Sequence, residues 1–306
     1  MIANQVALVR RELWEHRSLY VVPAVLGLVI VLIQMTGQTA VSAFGTHIDM
    51  ALLGATNIGP NERGAVISVL LTVLSGLLVM AMLILTAFYS LDSLYAERKD
   101  RSILFWRSMP VTDAETVLSK LITAVIVIPV ITLAFIAATH LLVLLVSSIW
   151  VGMRGANAWH LIWSAVPLLD TWSATLIFMV ALSLWLSPFI GWFLLVSAYT
   201  KRSPMLMAIL PIIVLPMLER SIMKTTMLFD ALFVRTGNLP IYRDIDLEGL
   251  LSSKESLRMA AENGISLVSM LDVGRFVTSP GLWLGLAVCG LFVTAAMYVR
   301  RFRDDS

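Results

Sequence analysis

Apolar residues recur along this chain in runs too long for strands and too unbroken for surface helices. Six runs, at about 19–36, 65–91, 121–150, 174–199, 203–218 and 281–299, meet the requirement of ~17–25 residues for crossing ~30 Å of hydrocarbon. The pattern predicts an all-α polytopic membrane protein with six transmembrane helices in a single domain, 1–306. The fifth run holds 16 residues before Glu219 and contains Pro204, Pro211 and Pro216. At 1.5 Å per residue it reaches ~24 Å, so it must thin the bilayer, continue past Glu219 or be broken.

Composition agrees with this class. Hydrophobic residues make up 58% of 306 positions, charged residues 14%, and mean hydropathy is +0.87. A soluble domain would carry about 25% charged residues to keep its surface wet. The net charge of +2 leaves no general basic surface for nucleic acid. A single cysteine, Cys289, excludes an intrachain disulfide and gives no support to a thiolate metal site. Arg10, Arg11 and Arg17 before the first run, with Val41-Ser42-Ala43 after it, superficially resemble a signal peptide. The apolar run and its 18-residue charged lead are both too long for one, which predicts a retained first helix.

Lysine and arginine set the orientation. With both termini in the cytoplasm, the inner segments hold thirteen, Arg11, Lys120 and Arg300 among them, and the short outer loops 37–64 and 151–173 hold only Arg63 and Arg154. Trp150, Trp159, Trp163, Trp172 and Trp283 then fall near the outer interface and Trp14 and Trp106 near the inner one, where amphipathic rings settle.

The inner stretch Asp92–Lys120 is the most informative. It has ten charged residues, yet Ile103-Leu104-Phe105-Trp106 sits at its centre. A plain connection needs only a handful of polar residues. The spacing predicts a short helix with an apolar patch, ended by Pro110. Thr112-Asp113-Ala114-Glu115 then has the form of a capping box, which starts the third span in the cytoplasm. Two readings fit this stretch: a helix that docks a soluble partner, and a helix resting on lipid with its bases among headgroups.

Glu97-Arg98-Lys99-Asp100-Arg101-Ser102-Ile103-Leu104, followed by Ser108-Met109-Pro110-Val111-Thr112, resembles the cytoplasmic coupling segment of type-2 ABC transporter permeases. That segment commonly reads E-R-x-x-G-T-L-E and then S-T-P-V-S at the same spacing. The likeness covers 16 contiguous positions, and the six-span layout extends it along the chain. Arg101 in place of the glycine and Phe105-Trp106-Arg107 in place of an aliphatic run depart from the pattern. The resemblance implies an ATP-driven exporter in the cytoplasmic membrane, of bacterial type, built from two permeases and two soluble ATPase subunits. Residues 1–18 would be an elbow helix and 92–112 the coupling segment. Glu97, Arg98, Arg101, Phe105, Trp106, Arg107 and Pro110 would contact the ATPase, and Thr112 and Glu115 would cap the lever helix. ATP and Mg would be held by the partner. This chain contains no Gly-Lys dipeptide, so a Walker A loop is excluded and the chain is not expected to be an enzyme.

Other polar positions point less sharply. His140 lies inside the third span, as a proton or substrate contact or as a neutral histidine bonded to a neighbouring helix. Gln34 reads as interfacial, Tyr89, Ser90 and Asp92 as anchors closing the second span, and Pro188 as a packed kink. Gly281-x-x-x-Gly285 fits either close helix approach or glycines facing lipid. Nothing forms a catalytic constellation, and His47 with Asp49 is too little for a metal site.

The outer segment 219–280 is 62 residues, too long for a connection. Met223, Met227, Ala231 and Val234 beside Arg220, Lys224 and Asp230 predict an interfacial amphipathic helix. Ser252-x-x-Glu255 and Gly264 bound a second helix at about 253–262. Beside the exporter, two other classes remain: a non-transporting membrane anchor or regulatory subunit, and an ion-coupled secondary transporter. The second would carry intramembrane acids and an internal repeat, and neither is present.

Overall fold

A computed structural model describes residues 2–36, 60–100, 111–242 and 266–302, and within them helices joined by short turns make up the chain, with one isolated bridge between Tyr242 and Leu271. In chain order the helices are α1 (Ile2–Glu15), α2 (Ser18–Met35), α3 (Pro60–Lys99), α4 (Asp113–Met153), α5 (Leu168–Trp185), α6 (Ser187–Tyr199), α7 (Pro204–Met223), α8 (Met227–Gly237), α9 (Val273–Thr278) and α10 (Pro280–Phe302). Six of them, α2, α3, α4, α5, α7 and α10, are long and apolar enough to cross a membrane. Each falls on one of the six predicted runs.

Proline explains where the helices depart from straight cylinders. The fourth run begins at Leu168 and is divided at Leu186, immediately ahead of Ser187 and Pro188 at the start of α6. The proline ring cannot accept the preceding helical geometry and supplies no N–H. Within α4, Thr123–Val127 form a π-turn just before Pro129, which relieves the carbonyl that Pro129 leaves without a donor. The fifth run resolves its length by continuing past Glu219 through a π-turn to Met223, and it stops at Lys224 with a left-handed φ of 53°. Glu219 caps the next helix: its carboxylate accepts from the N–H groups of Met227 (2.9 Å) and Leu228 (2.8 Å) and from Thr225 Oγ1 (2.8 Å). The amphipathic helix expected from Met223 onward is therefore split, and α8 starts only at Met227.

α6 and α10 lie side by side in the same direction, with Gly191 against Cys289. A Cβ at Gly191 would meet the backbone of Cys289 at 3.1–3.2 Å, so any side chain here would press the two helices apart. Gln34, at the end of α2, is buried against α4, and its Nε2 donates to Ser147 Oγ at 3.1 Å. His140 sits where α3, α4 and α5 meet. Trp172 Nε1 donates to its Nδ1 (3.3 Å), so the ring proton lies on Nε2, 3.2 Å from Ser75 Oγ. Ser75 in turn donates to Leu71 O. Every polar atom of this histidine is satisfied in the neutral form, as a structural histidine requires.

The Gly281-x-x-x-Gly285 pair does not receive a helix. The Trp185 ring packs over Gly281, and the Arg235 guanidinium fills the space where a Cβ of Gly285 would stand. Arg235 lies 4.2 Å over the Trp185 ring, donates from Nε to Trp185 O (2.8 Å) and from Nη1 to Gly281 O. Asp170 accepts from Ser266 Oγ and from Leu267 N, and Ile241, Leu271 and Phe276 pack with Trp185. The described parts of 219–280 are thus fastened to α5 and α10. The helix expected at 253–262 lies outside the described residues.

Gly191→Leu should destabilise the protein by about 2 kcal/mol, because it overpacks a backbone contact. Gly290→Leu, where a Cβ meets nothing within 4 Å, should leave thermal unfolding in detergent within a degree or two of wild type.

Candidate functional site

At the end of the bundle where α3 stops and α4 starts, charged side chains from four separate parts of the chain converge. Glu97, near the end of α3, is at the centre. Its Oε1 accepts from Arg11 Nη2 of α1 at 2.6 Å and lies 3.0 Å from Lys120 Nζ of α4. Its Oε2 is 2.6 Å from Arg300 Nη1 of α10. Glu12 shares the lysine at 2.9 Å through Oε1, and its Oε2 accepts from Tyr89 OH at 2.9 Å. Asp113 takes Arg300 Nε at 2.9 Å, and Glu15 takes Arg11 Nε at 2.8 Å.

Burial decides how much these contacts matter. Lys120 is 0% exposed, Glu12 1% and Glu97 4%. Exposed ion pairs are screened and contribute little. A buried charge has no water to fall back on, so removing its partner costs far more than an exposed pair contributes. Three cations, Arg11, Lys120 and Arg300, face four carboxylates, so the set is close to neutral. Burial works against the charge on Arg11, but the hydrogen bond to Glu15 and the charges of Glu97 and Glu12 outweigh it and raise its pKa above the usual value. His16, one turn after Glu12, is held below its usual value by burial first, with Glu12 opposing and Lys120 reinforcing.

The neighbouring Arg98 turns the other way. Its Nη2 donates to Ser197 O (2.5 Å) and Thr200 O (2.7 Å), the open carbonyls at the end of α6, where a cation also meets the negative end of the helix dipole. The Leu94 and Tyr95 N–H groups donate to Ser197 Oγ at 3.1 and 3.0 Å. Glu97 and Arg98 together thus tie the end of α3 to α1, α4, α6 and α10. At the start of α4, Glu115 N donates to Thr112 Oγ1 (3.1 Å) and Thr112 N to Glu115 Oε2 (3.0 Å), which closes a capping box. Gln5 Nε2 of α1 adds a bond to Glu115 O at 3.2 Å.

Of the residues singled out from the sequence, Glu97 and Arg98 therefore point into the bundle, and Thr112 and Glu115 hold the helix start. Arg101, Phe105, Trp106, Arg107 and Pro110 lie outside the described residues. Sequence reasoning placed Arg11 on an elbow helix and Lys120 and Arg300 among inner-side bases, but did not pair them. Glu12 was passed over. The available signal was acids, Glu12 and Glu97, standing inside otherwise basic segments at the margins of apolar runs. Glu12, Glu15 and His16 bring ligand atoms within 4.8 Å of one another, and the two carboxylates also hold Lys120, Tyr89 and Arg11.

The class defined by fold and site is a helical protein with six membrane-capable helices, three of which, α3, α4 and α10, are cross-braced with α1 at one end by buried charges. No protein-family model, curated protein or solved structure matches the chain.

Glu97→Gln should lower the stability of the purified protein in uncharged detergent by about 3–5 kcal/mol, because it leaves buried cations without their carboxylate. Adding Lys120→Met to that variant should recover part of the loss. Thermal unfolding of the two single variants and the double variant measures the coupling.

Proposed function

We propose that this chain is the permease subunit of an ATP-driven exporter, taking its energy from a separate nucleotide-binding subunit. The observation that carries the reading is the charge network at the two flanks of 101–110. The helix entering that stretch ends at Lys99, just past Glu97 and Arg98, and the helix leaving it begins at the Thr112–Glu115 box, about two turns before Lys120. A force applied between the flanks reaches α3 and α4 directly. Through Glu97 and Asp113 it also reaches α10, and through Glu97 and Glu12 it reaches α1. A loop that only rests on lipid has no need of a buried lock joining four helices at its base.

In this reading both termini and the charged end face the cytoplasm of a bacterial cell, and two copies of the chain combine with two ATPases that bind ATP and Mg. Phe105 and Trp106 supply buried contact to the ATPase, while Arg101 and Arg107 set register. Glu97 and Arg98 act on the inner side of the same segment and transmit the motion.

Co-expression of the tagged chain with a soluble ABC ATPase encoded beside it, followed by purification in detergent, tests the proposal. Wild type is expected to retain the ATPase. Trp106→Asp/Arg107→Glu should lose it while eluting as a folded protein. An ATPase that never binds wild type, or binds the variant equally well, contradicts the reading and favours a membrane anchor with a lipid-resting loop.

A further inference from the structure

Beside the charge network lies a cavity of about 290 Å³, between the α1–α2 junction, the last turns of α3 and the first turn of α7. Tyr89 belongs to both: its hydroxyl donates to Glu12, while its ring lines the cavity with His16, Phe88, Asp92, Tyr95 and Met205. Phe88, Asp92 and Tyr95 follow one another at helical spacing and so share a face of α3. The His16 and Tyr89 rings meet edge to face at 5.0 Å, which fixes the inner wall.

Asp92 distinguishes this cavity. Glu12, Glu15, Glu97 and Asp113 at this end each hold a cation. Asp92 is exposed to the cavity, and among the described residues it makes no hydrogen bond or ion pair. A carboxylate at the margin of an apolar helix, ringed by aromatic side chains, recognises one kind of group well. We propose that this cavity binds an ammonium or quaternary ammonium group carried on an apolar body, with Asp92 as counter-ion and Phe88, Tyr89 and Tyr95 as the walls.

The chemistry favours that class over others. Ring faces attract an organic cation and not an anion, and the pull strengthens when the cation leaves water. A single carboxylate offers too few oxygens for a hard metal ion, which takes six or more. Leu85, Leu91 and Met205 provide an apolar remainder for the attached chain. Burial keeps His16 below its usual pKa, so its ring adds no positive charge to the cavity at neutral pH. The site requires nothing of the exporter reading and stands if that reading fails.

Calorimetric titration of the full chain in dodecyl maltoside, an uncharged detergent without amines, with hexyltrimethylammonium as probe tests the site. Saturable binding is expected. It should weaken about tenfold in Asp92→Asn, less in Tyr95→Leu, and little in Asp92→Glu. Asp92 is exposed and makes no hydrogen bond or ion pair among the described residues, so its variants should unfold at the wild-type temperature, which separates lost binding from lost folding. Displacement of the probe by lysophosphatidylethanolamine but not lysophosphatidylglycerol would assign the site to a lipid headgroup. A probe left in place by both would assign it to a free amphipathic cation. No saturable binding to wild type, or equal binding by folded Asp92→Asn, overturns the proposal.

Discussion

A carboxylate that is 4% exposed cannot remain charged beside an apolar bundle unless cations surround it, and Glu97 has three of them within 3.0 Å. That requirement organises one end of this protein. Each cation arrives from a different helix and brings a second acid with it: Arg11 with Glu15, Lys120 with Glu12, Arg300 with Asp113. The helices are therefore held by a set of contacts in which no member is replaceable alone. Buried ionic groups of this kind are weak as a source of net stability and strong as a constraint on geometry, because any other arrangement leaves a charge unpaired. The same network borders 101–110 in the sequence, the stretch through which the proposed exporter would receive its partner's force.

The six membrane-capable helices were legible in the sequence because each is a long apolar run, and length with hydropathy is what a bilayer selects. The breaks were legible only in part. Pro188 marked a kink, and the kink is there at Leu186. The extension of α7 past Glu219 was one of three open solutions, and it depends on Glu219 finding the free N–H groups of α8, a contact that no local pattern encodes. What Gln34 and the Gly281/Gly285 pair would meet was not legible for the same reason. Their partners, Ser147, Trp185 and Arg235, are distant in the chain, and an isolated glutamine or glycine pair does not say which one it will meet.

The candidate site shows this contrast most clearly. Thr112 and Glu115 are three residues apart and satisfy each other's backbone, so the capping pattern could be seen in four letters. Glu97 and Arg300 are separated by most of the chain, and their pairing emerges only when α3 and α10 are brought together. Counting bases assigned Arg11, Lys120 and Arg300 to one side of the membrane and said nothing of the acids they hold. The direction of Glu97 and Arg98, inward to the lock and across to the end of α6, changes how that motif is understood. Both residues anchor the end of α3 to the neighbouring helices.

Hydrogen–deuterium exchange of Arg300→Met against wild type tests the central claim most directly, since that change removes one member of the lock from the far end of the chain. The account predicts faster exchange not only near residue 300 but together in 2–15, 92–99 and 113–122, the segments joined through Glu97 and Asp113. Faster exchange confined to the end of α10, with the other three segments unchanged, would contradict it and reduce the network to independent local pairs.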